Sequence, residues 1–262
     1  FSMRLFLKKR STMQNYIFTS ESVTEGHPDK VCDLIADSIL DAALEQDPYS
    51  NMAVEATIKD DFILVYGEAN TKAHIDYEKI AKDVLKEIGY PEDYKVTVVV
   101  NEQSPEIHNA VNKKENGELE IAAGDQGIMF GFAADESDEY MPSPIYLAHK
   151  LSRQLSKVRR TMPDVLKPDG KTQVSVEYED GNPKRIDTIV VSTQHGKDVS
   201  QEEVRKIVRE QVIDAVIDPE LLDENTKYII NPSGSFVVGG SFGDSGTTGR
   251  KIVCDTYGGM GH

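Results

Sequence analysis

A β-hairpin set between two amphipathic helices, with one more strand after the second helix, is spelled out twice along this chain. In the first copy, Val31, Ile35 and Ile39, with Leu34 beside them, make the apolar stripe of a helix predicted over residues 28–46. Asp33, Asp37, Asp41 and Glu45 recur on its other face as a solvated side. Two strands follow, 53–58 and 62–66, turning at Lys59-Asp60-Asp61. A helix over 76–88 buries Ile80, Val84 and Ile88 and stops at Gly89, and 96–100 closes the copy as a strand.

In the second copy, Ile145, Ala148, Leu151, Leu155 and Val158 line a helix over 144–160. The strands 172–178 and 186–193 meet at Glu179-Asp180-Gly181-Asn182. Ser200-Gln201-Glu202-Glu203 is a capping box that opens a helix burying Val204, Val208 and Val212, and 228–230 is the closing strand. Hairpins with helices on one face predict an α+β class of mixed or antiparallel sheets, not a doubly wound sheet. Between the copies, 112–118 reads as a polar, mobile loop, and Gly124-Asp125-Gln126-Gly127 as a second Gly/Asp turn.

The densest chemistry lies in residues 234–251, from Gly234-Ser235-Phe236 through Gly239-Gly240-Ser241-Phe242-Gly243-Asp244 to Gly249-Arg250-Lys251. Glycines admit a backbone close to a ligand, and successive free N–H groups make a concavity for anions. Arg250 and Lys251 suit phosphate oxygens, and Asp244 adds a carboxylate. The P-loop pattern is not met, because Gly249-Arg250-Lys251-Ile252 lacks its Gly-Lys-Ser/Thr end. Gly243-Asp244-Ser245-Gly246 imitates a serine-protease tetrapeptide without its fold or partners. Gly26-His27-Pro28-Asp29-Lys30 opens the first helix, where N–H groups and the dipole favour anions. By itself that segment is more often an ordinary helix cap.

A net charge of −16 excludes nonspecific nucleic-acid binding, and a polyphosphate would need local cations or Mg²⁺. No apolar run approaches a membrane span. Two cysteines, Cys32 and Cys254, without metal-clip spacing fit a reducing, cytoplasmic setting. Residues 1–12, basic and apolar ahead of Met13, read as an extension foreign to the fold.

Residues 18–30 (Phe18-Thr19-Ser20-Glu21-Ser22-Val23-Thr24-Glu25-Gly26-His27-Pro28-Asp29-Lys30), Gly124-Asp125-Gln126-Gly127, and Gly246-Thr247-Thr248-Gly249-Arg250-Lys251 with Asp255-Thr256-Tyr257-Gly258-Gly259 together resemble the S-adenosylmethionine synthetase (methionine adenosyltransferase) family. The likeness runs from Met13 to the last residue. It implies attack of methionine sulfur on C5′ of ATP, loss of tripolyphosphate and its hydrolysis, with Mg²⁺ and K⁺ as cofactors. It implies a homodimer or a dimer of dimers with sites shared between chains.

By this resemblance His27 contacts the triphosphate at the departing oxygen, and Lys171, Arg250 and Lys251 complete the catalytic cations. Asp169 and Lys171 match ribose and phosphate contacts, and Phe236 an adenine-side contact. Ser235 stands where the family usually has arginine. Glu68, Gln103, Asp125 and Asp244 match methionine-side or other substrate contacts, with Gln103 at the start of a gate. Asp29 matches a Mg²⁺ ligand and Glu55 a K⁺ ligand.

The resemblance further implies a pseudo-threefold repeat. Its first unit would be 13–25 with 136–239, and its second 26–114 with 240–262. The third would be largely missing, kept only as 115–135 with a strand near 118–134. On this reading later lysines and a second metal ligand are absent. The alternative is then an inactive fragment that binds nucleotide or polyphosphate, or only associates.

Overall fold

The computed structural model describes residues 15–102, 114–115, 118–119 and 127–261. Its strands form two four-stranded sheets of matching plan. One sheet runs β1 (Tyr16–Val23), β7 (Leu166–Glu179), β8 (Asn182–His195), β9 (Lys227–Ile230). The other runs β10 (Gly246–Thr247), β2 (Asn51–Lys59), β3 (Phe62–Asn70), β4 (Lys95–Glu102). In both, the first three strands are antiparallel and the last joins parallel, across a helical crossover.

Each sheet is covered on one face by two helices, as the apolar stripes require. Helix α1 (Pro28–Gln46) and α2 (Tyr77–Ile88) lie on the second sheet, where Ile35, Ile39, Ile63, Val65 and Leu85 form a closed core. Each such side chain contributes roughly 1.5–3 kcal/mol on burial. Helix α3 (Ser143–Thr161) and α4 (Gln201–Ile207) lie on the first sheet, over Val174, Val176, Ile186 and Ile189. The α4 path begins at the predicted cap, Ser200, and continues through a π-helical turn, Val208–Ile213.

Four details depart from the sequence reading. Strand β1 was not anticipated, yet it pairs along its whole length with β7, from Tyr16 opposite Tyr178 to Val23 opposite Lys171. Strand β7 starts at Leu166 and not at 172, so Asp169 and Lys171 lie within it. Its register slips between Leu166 and Gly170, a bulge that accommodates Pro168. The strand expected near 118–134 is absent from 127–134, where Ile128, Met129 and Phe130 are exposed. A strand needs a partner to satisfy its backbone, and no described strand pairs with those residues. Residues 114–115 and 118–119 make only a minimal hairpin, β5 with β6.

The short helices α5 (Gly240–Gly243) and α6 (Ile252–Asp255) carry the Gly-rich segment back across both sheets. Gly258 accepts a hydrogen bond from Ser20 Oγ at 2.7 Å, so the chain after α6 rests on β1. Among the described residues no helix is long and apolar enough to cross a membrane.

Candidate active site

The turn from β1 into α1 is built to fix one imidazole. Thr24 donates its N–H to Gly170 O at 2.9 Å and its hydroxyl to Pro168 O at 2.7 Å. Gly26 lies flat on Pro168, where a Cβ would sit 2.4 Å from the proline backbone. Glu25 is tied to α3 by Arg159 at 2.5 Å and by Ser156. His27 then caps α1, with Pro28 in the first turn as the cap geometry favours.

His27 Nδ1 accepts the N–H of Asp29 at 3.2 Å, which leaves the proton of the neutral ring on Nε2. Burial, and then the charges of Lys251 and Lys171 against the opposing carboxylate of Asp29, push His27 down to about 4. It is therefore a neutral donor at neutral pH.

Asp29 is only 2% exposed and fully engaged. Its Oδ1 accepts the Thr247 N–H at 3.0 Å and faces Arg250 Nε at 3.6 Å. Its Oδ2 takes Lys251 Nζ at 2.6 Å. Burial alone would raise this carboxyl, but hydrogen bonds from Lys251 and Thr247 and the charges of Lys251 and Arg250 hold it below the usual carboxylate range. With both oxygens committed, Asp29 as arranged does not fit an open metal ligand. Among the described residues no group of three or more His, Cys, Asp or Glu side chains could hold a metal ion.

On His27 opens a cleft of about 330 Å³, lined also by Asp169, Lys171, Phe236 and Asp244. Lys171 meets Glu21 at 3.3 Å, with both side chains well exposed, so the pair contributes little and leaves the ammonium available. Asp169 is buried and accepts the Gly240 N–H at 2.8 Å. Burial, helped by Asp244 and opposed by the Gly240 N–H and by Lys171, raises it to about 6. Asp244 is exposed and bonds the N–H of Ser245 at 2.8 Å.

The sequence reading missed the residues that set Phe236. His195, at the end of β8, donates its N–H to Phe236 O at 2.9 Å, and its Nε2 accepts the Phe236 N–H at 3.0 Å. Its Nδ1 lies 2.8 Å from Gly196 O, which can only accept, so the proton sits on Nδ1. Gln194 adds a bond from Nε2 to Val237 O at 3.0 Å. A lone histidine after an alternating strand gave no signal beyond a core residue.

Residues 15–115 match the N-terminal-domain model of S-adenosylmethionine synthetase, and residues 120–236 match its central-domain model. The S-adenosylmethionine synthase of Clostridium botulinum (strain Alaska E43 / Type E3) is 52% identical over 262 residues, covering 94% of this chain and 67% of that protein. That of Clostridium tetani (strain Massachusetts / E88) is likewise 52% identical, covering 94% and 67%. That of Desulfosudis oleivorans (strain DSM 6200 / JCM 39069 / Hxd3) is 50% identical over 257 residues, covering 95% and 66%. The chain belongs to the S-adenosylmethionine synthetase family. It spans about two thirds of the length of these relatives. The family's N-terminal match includes β1, although β1 completes the sheet that holds most of the central match.

The remaining residues that the family likeness singled out fall elsewhere. Glu55 and Glu68 are exposed on the helix-free face of the second sheet, alternating with buried Val54, Ala56 and Val65. Glu55 accepts a hydrogen bond from Thr248 Oγ1, which links β2 to the segment carrying Arg250 and Lys251. Ser235 is exposed and does not line the cleft. Gln103 and Asp125 lie outside the described residues. The structure thus gathers His27, Asp169, Lys171, Phe236 and Asp244 in one cleft, and His27 joins it to the Asp29–Arg250–Lys251 cluster, whose Asp29 carboxylate lies 4.0 Å from the imidazole.

Proposed function

We propose that this chain carries the triphosphate-clamping part of an ATP:L-methionine S-adenosyltransferase. The methionine thioether sulfur attacks C5′ of ATP and forms a sulfonium. The C5′–O bond breaks, and its electron pair leaves on the tripolyphosphate. Sulfur has no proton to lose, so the step needs orientation and a place for departing negative charge, not a base.

His27 supplies a neutral Nε2–H to the departing oxygen. Lys171, Lys251 and Arg250 supply positive charge to the polyphosphate, which is afterwards cleaved to pyrophosphate and phosphate. Phe236 walls the adenine side, and Asp169 addresses the ribose. Glu68, Gln103, Asp125 and Asp244 attend to methionine and its neighbouring polar groups. We extend the family's metal requirement to this chain: Mg²⁺ supplies charge neutralisation on the polyphosphate when bound, and K⁺ belongs near Glu55. Neither has an open ligand set among the residues above, so no step is assigned through them. Pairing of two chains, or of two pairs, over the helix-free faces belongs to the same reading.

One observation carries the proposal: a neutral imidazole at a helix N-terminus lies between a cleft walled by Phe236 and a Lys251–Asp29–Arg250 cluster, 4.0 Å from the Asp29 carboxylate. Calorimetric titration with ATP and with inorganic tripolyphosphate tests it. Both should bind, and Lys171→Ala and Lys251→Ala should each weaken them about tenfold or more, the size of one lost charge-assisted contact. Binding indifferent to both substitutions would overturn the site. Incubation with ATP, methionine, Mg²⁺ and K⁺, read by mass spectrometry for the sulfonium product, separates turnover from a chain that only binds nucleotide.

A further inference from the structure

We infer that Tyr90 is a positioning residue that locks the loop presenting His27 to the turn that holds Asp169; this rests on reading the cleft as the polyphosphate site. Tyr90 directly follows the C-cap of α2. Gly89 adopts the left-handed conformation there, and the N–H groups of Gly89 and Tyr90 both bond to Leu85 O at 3.0 Å. That double closure fixes the direction in which the phenol leaves the helix. The side chain is 8% exposed and packs in the core of the second sheet.

From that anchor the phenol touches two loops at once. Its Oη donates to Gly26 O at 2.5 Å, one residue before His27. Against its other side lies Gly240, at φ +58°, where a Cβ would stand 2.4 Å from the same Oη. Only glycine lets that backbone approach so closely. Gly240 in turn gives its N–H to Asp169. One hydroxyl therefore sets the spacing between the peptide that leads into His27 and the peptide that bonds Asp169. Gly26 is pressed against Pro168 of β7 from its other side, so the phenol of one sheet clamps this peptide against the other sheet. Burial raises the phenol well above its ordinary value, so it stays protonated and remains a donor.

The test is Tyr90→Phe, which removes the hydroxyl and keeps the ring. Ring ¹⁵N shifts of His27 at pH 7, assigned by comparison with His27→Gln, report its tautomer. In the unaltered chain they should show the proton on Nε2. In Tyr90→Phe they should move toward a mixture of tautomers, because a loosened Gly26 peptide no longer keeps Nδ1 on the Asp29 N–H. Tripolyphosphate affinity should fall about tenfold, the size expected for one hydrogen bond to a buried carbonyl, while circular dichroism stays unchanged. Unchanged shifts together with unchanged affinity would overturn the inference. If the unaltered chain binds no tripolyphosphate, the functional reading fails, but the tautomer shift still judges Tyr90. If Tyr90→Phe does not fold, Gly240→Ala pushes the phenol from its other side with the hydroxyl kept; it should produce the same tautomer shift, and an unshifted His27 there would overturn the inference.

Discussion

Asp29 and Lys251, 222 positions apart in the chain, meet with their charged atoms 2.6 Å apart next to His27. The pair is buried on the Asp29 side and is reinforced by Arg250. An internal carboxylate thus holds the cations that a triphosphate would also need.

That competition has a sign that can be measured. Asp29→Asn keeps the shape and removes the rival charge. In EDTA, its tripolyphosphate affinity should rise several-fold over the unaltered chain, because Lys251 and Arg250 no longer give up a strong partner on binding. A fall in metal-free affinity would mean that Asp29 serves chiefly to hold the cations in place.

On the proposed reading, His27 is a neutral donor that matters most as charge leaves C5′. In a preparation that turns over, His27→Asn should lower kcat by roughly 10²-fold or more, as for loss of one oxyanion-type donor, with little change in ATP affinity. Steady-state kinetics with a separate binding measurement distinguish this from simple loss of substrate binding.

The two titrating groups of the cleft pull stability in opposite directions. His27 falls from 6.5 to about 4 on folding, so its contribution is present above 6.5 and is lost as pH drops toward 4. Asp169 rises from 3.8 to about 6, so its contribution is complete below 3.8 and is lost as pH climbs through 6. Asp169→Asn removes a charge that is costly only when ionised. It should raise the urea midpoint at pH 7.5 relative to the unaltered chain and raise it less at pH 5.5. An equal change at both values would count against a perturbed Asp169.

His195 grips Phe236 by both its backbone N–H and its ring. His195→Ala should free the Phe236 wall and leave the cations untouched. ATP should then bind about tenfold less tightly, in line with loss of a buried hydrogen bond and a stacking surface, while tripolyphosphate binds as before. Equal losses for both ligands would mean that the substitution disturbs the whole cleft.

The helices α1, α2 and α3 were legible because their apolar stripes, and for α2 and α4 their caps, are local signals that tertiary structure had no reason to override. The alternation of Val174, Val176 and Tyr178 marked β7, but Pro168 and Gly170 interrupt that pattern, so the predicted strand began too late. Strands β1 and β10 exist only through partners distant in sequence, so nothing near them announced an edge position. The same holds in the site. His27, Lys171, Arg250 and Lys251 stood out through motifs, whereas Tyr90, Gln194 and His195 work through contacts with residues far away in the chain. Their side chains carry no signature that separates them from ordinary packing.

The pairing of β1 with β7 also governs how this chain can be made. As the polypeptide leaves the ribosome, Tyr16–Val23 emerges long before Leu166–Glu179, its one sheet neighbour among the described residues. Until then the nascent chain presents an unpaired strand edge, and the long loop must close before that contact rewards it. Helix α1 and the β2–β3 hairpin can settle locally in the meantime, but the Gly26–His27 turn cannot, because its hydrogen bonds run to Pro168 and Gly170. His27 is therefore made well before the residues that fix its turn and reaches its place only after them, and conditions that slow elongation between β3 and β7 prolong the interval in which this edge is open to aggregation.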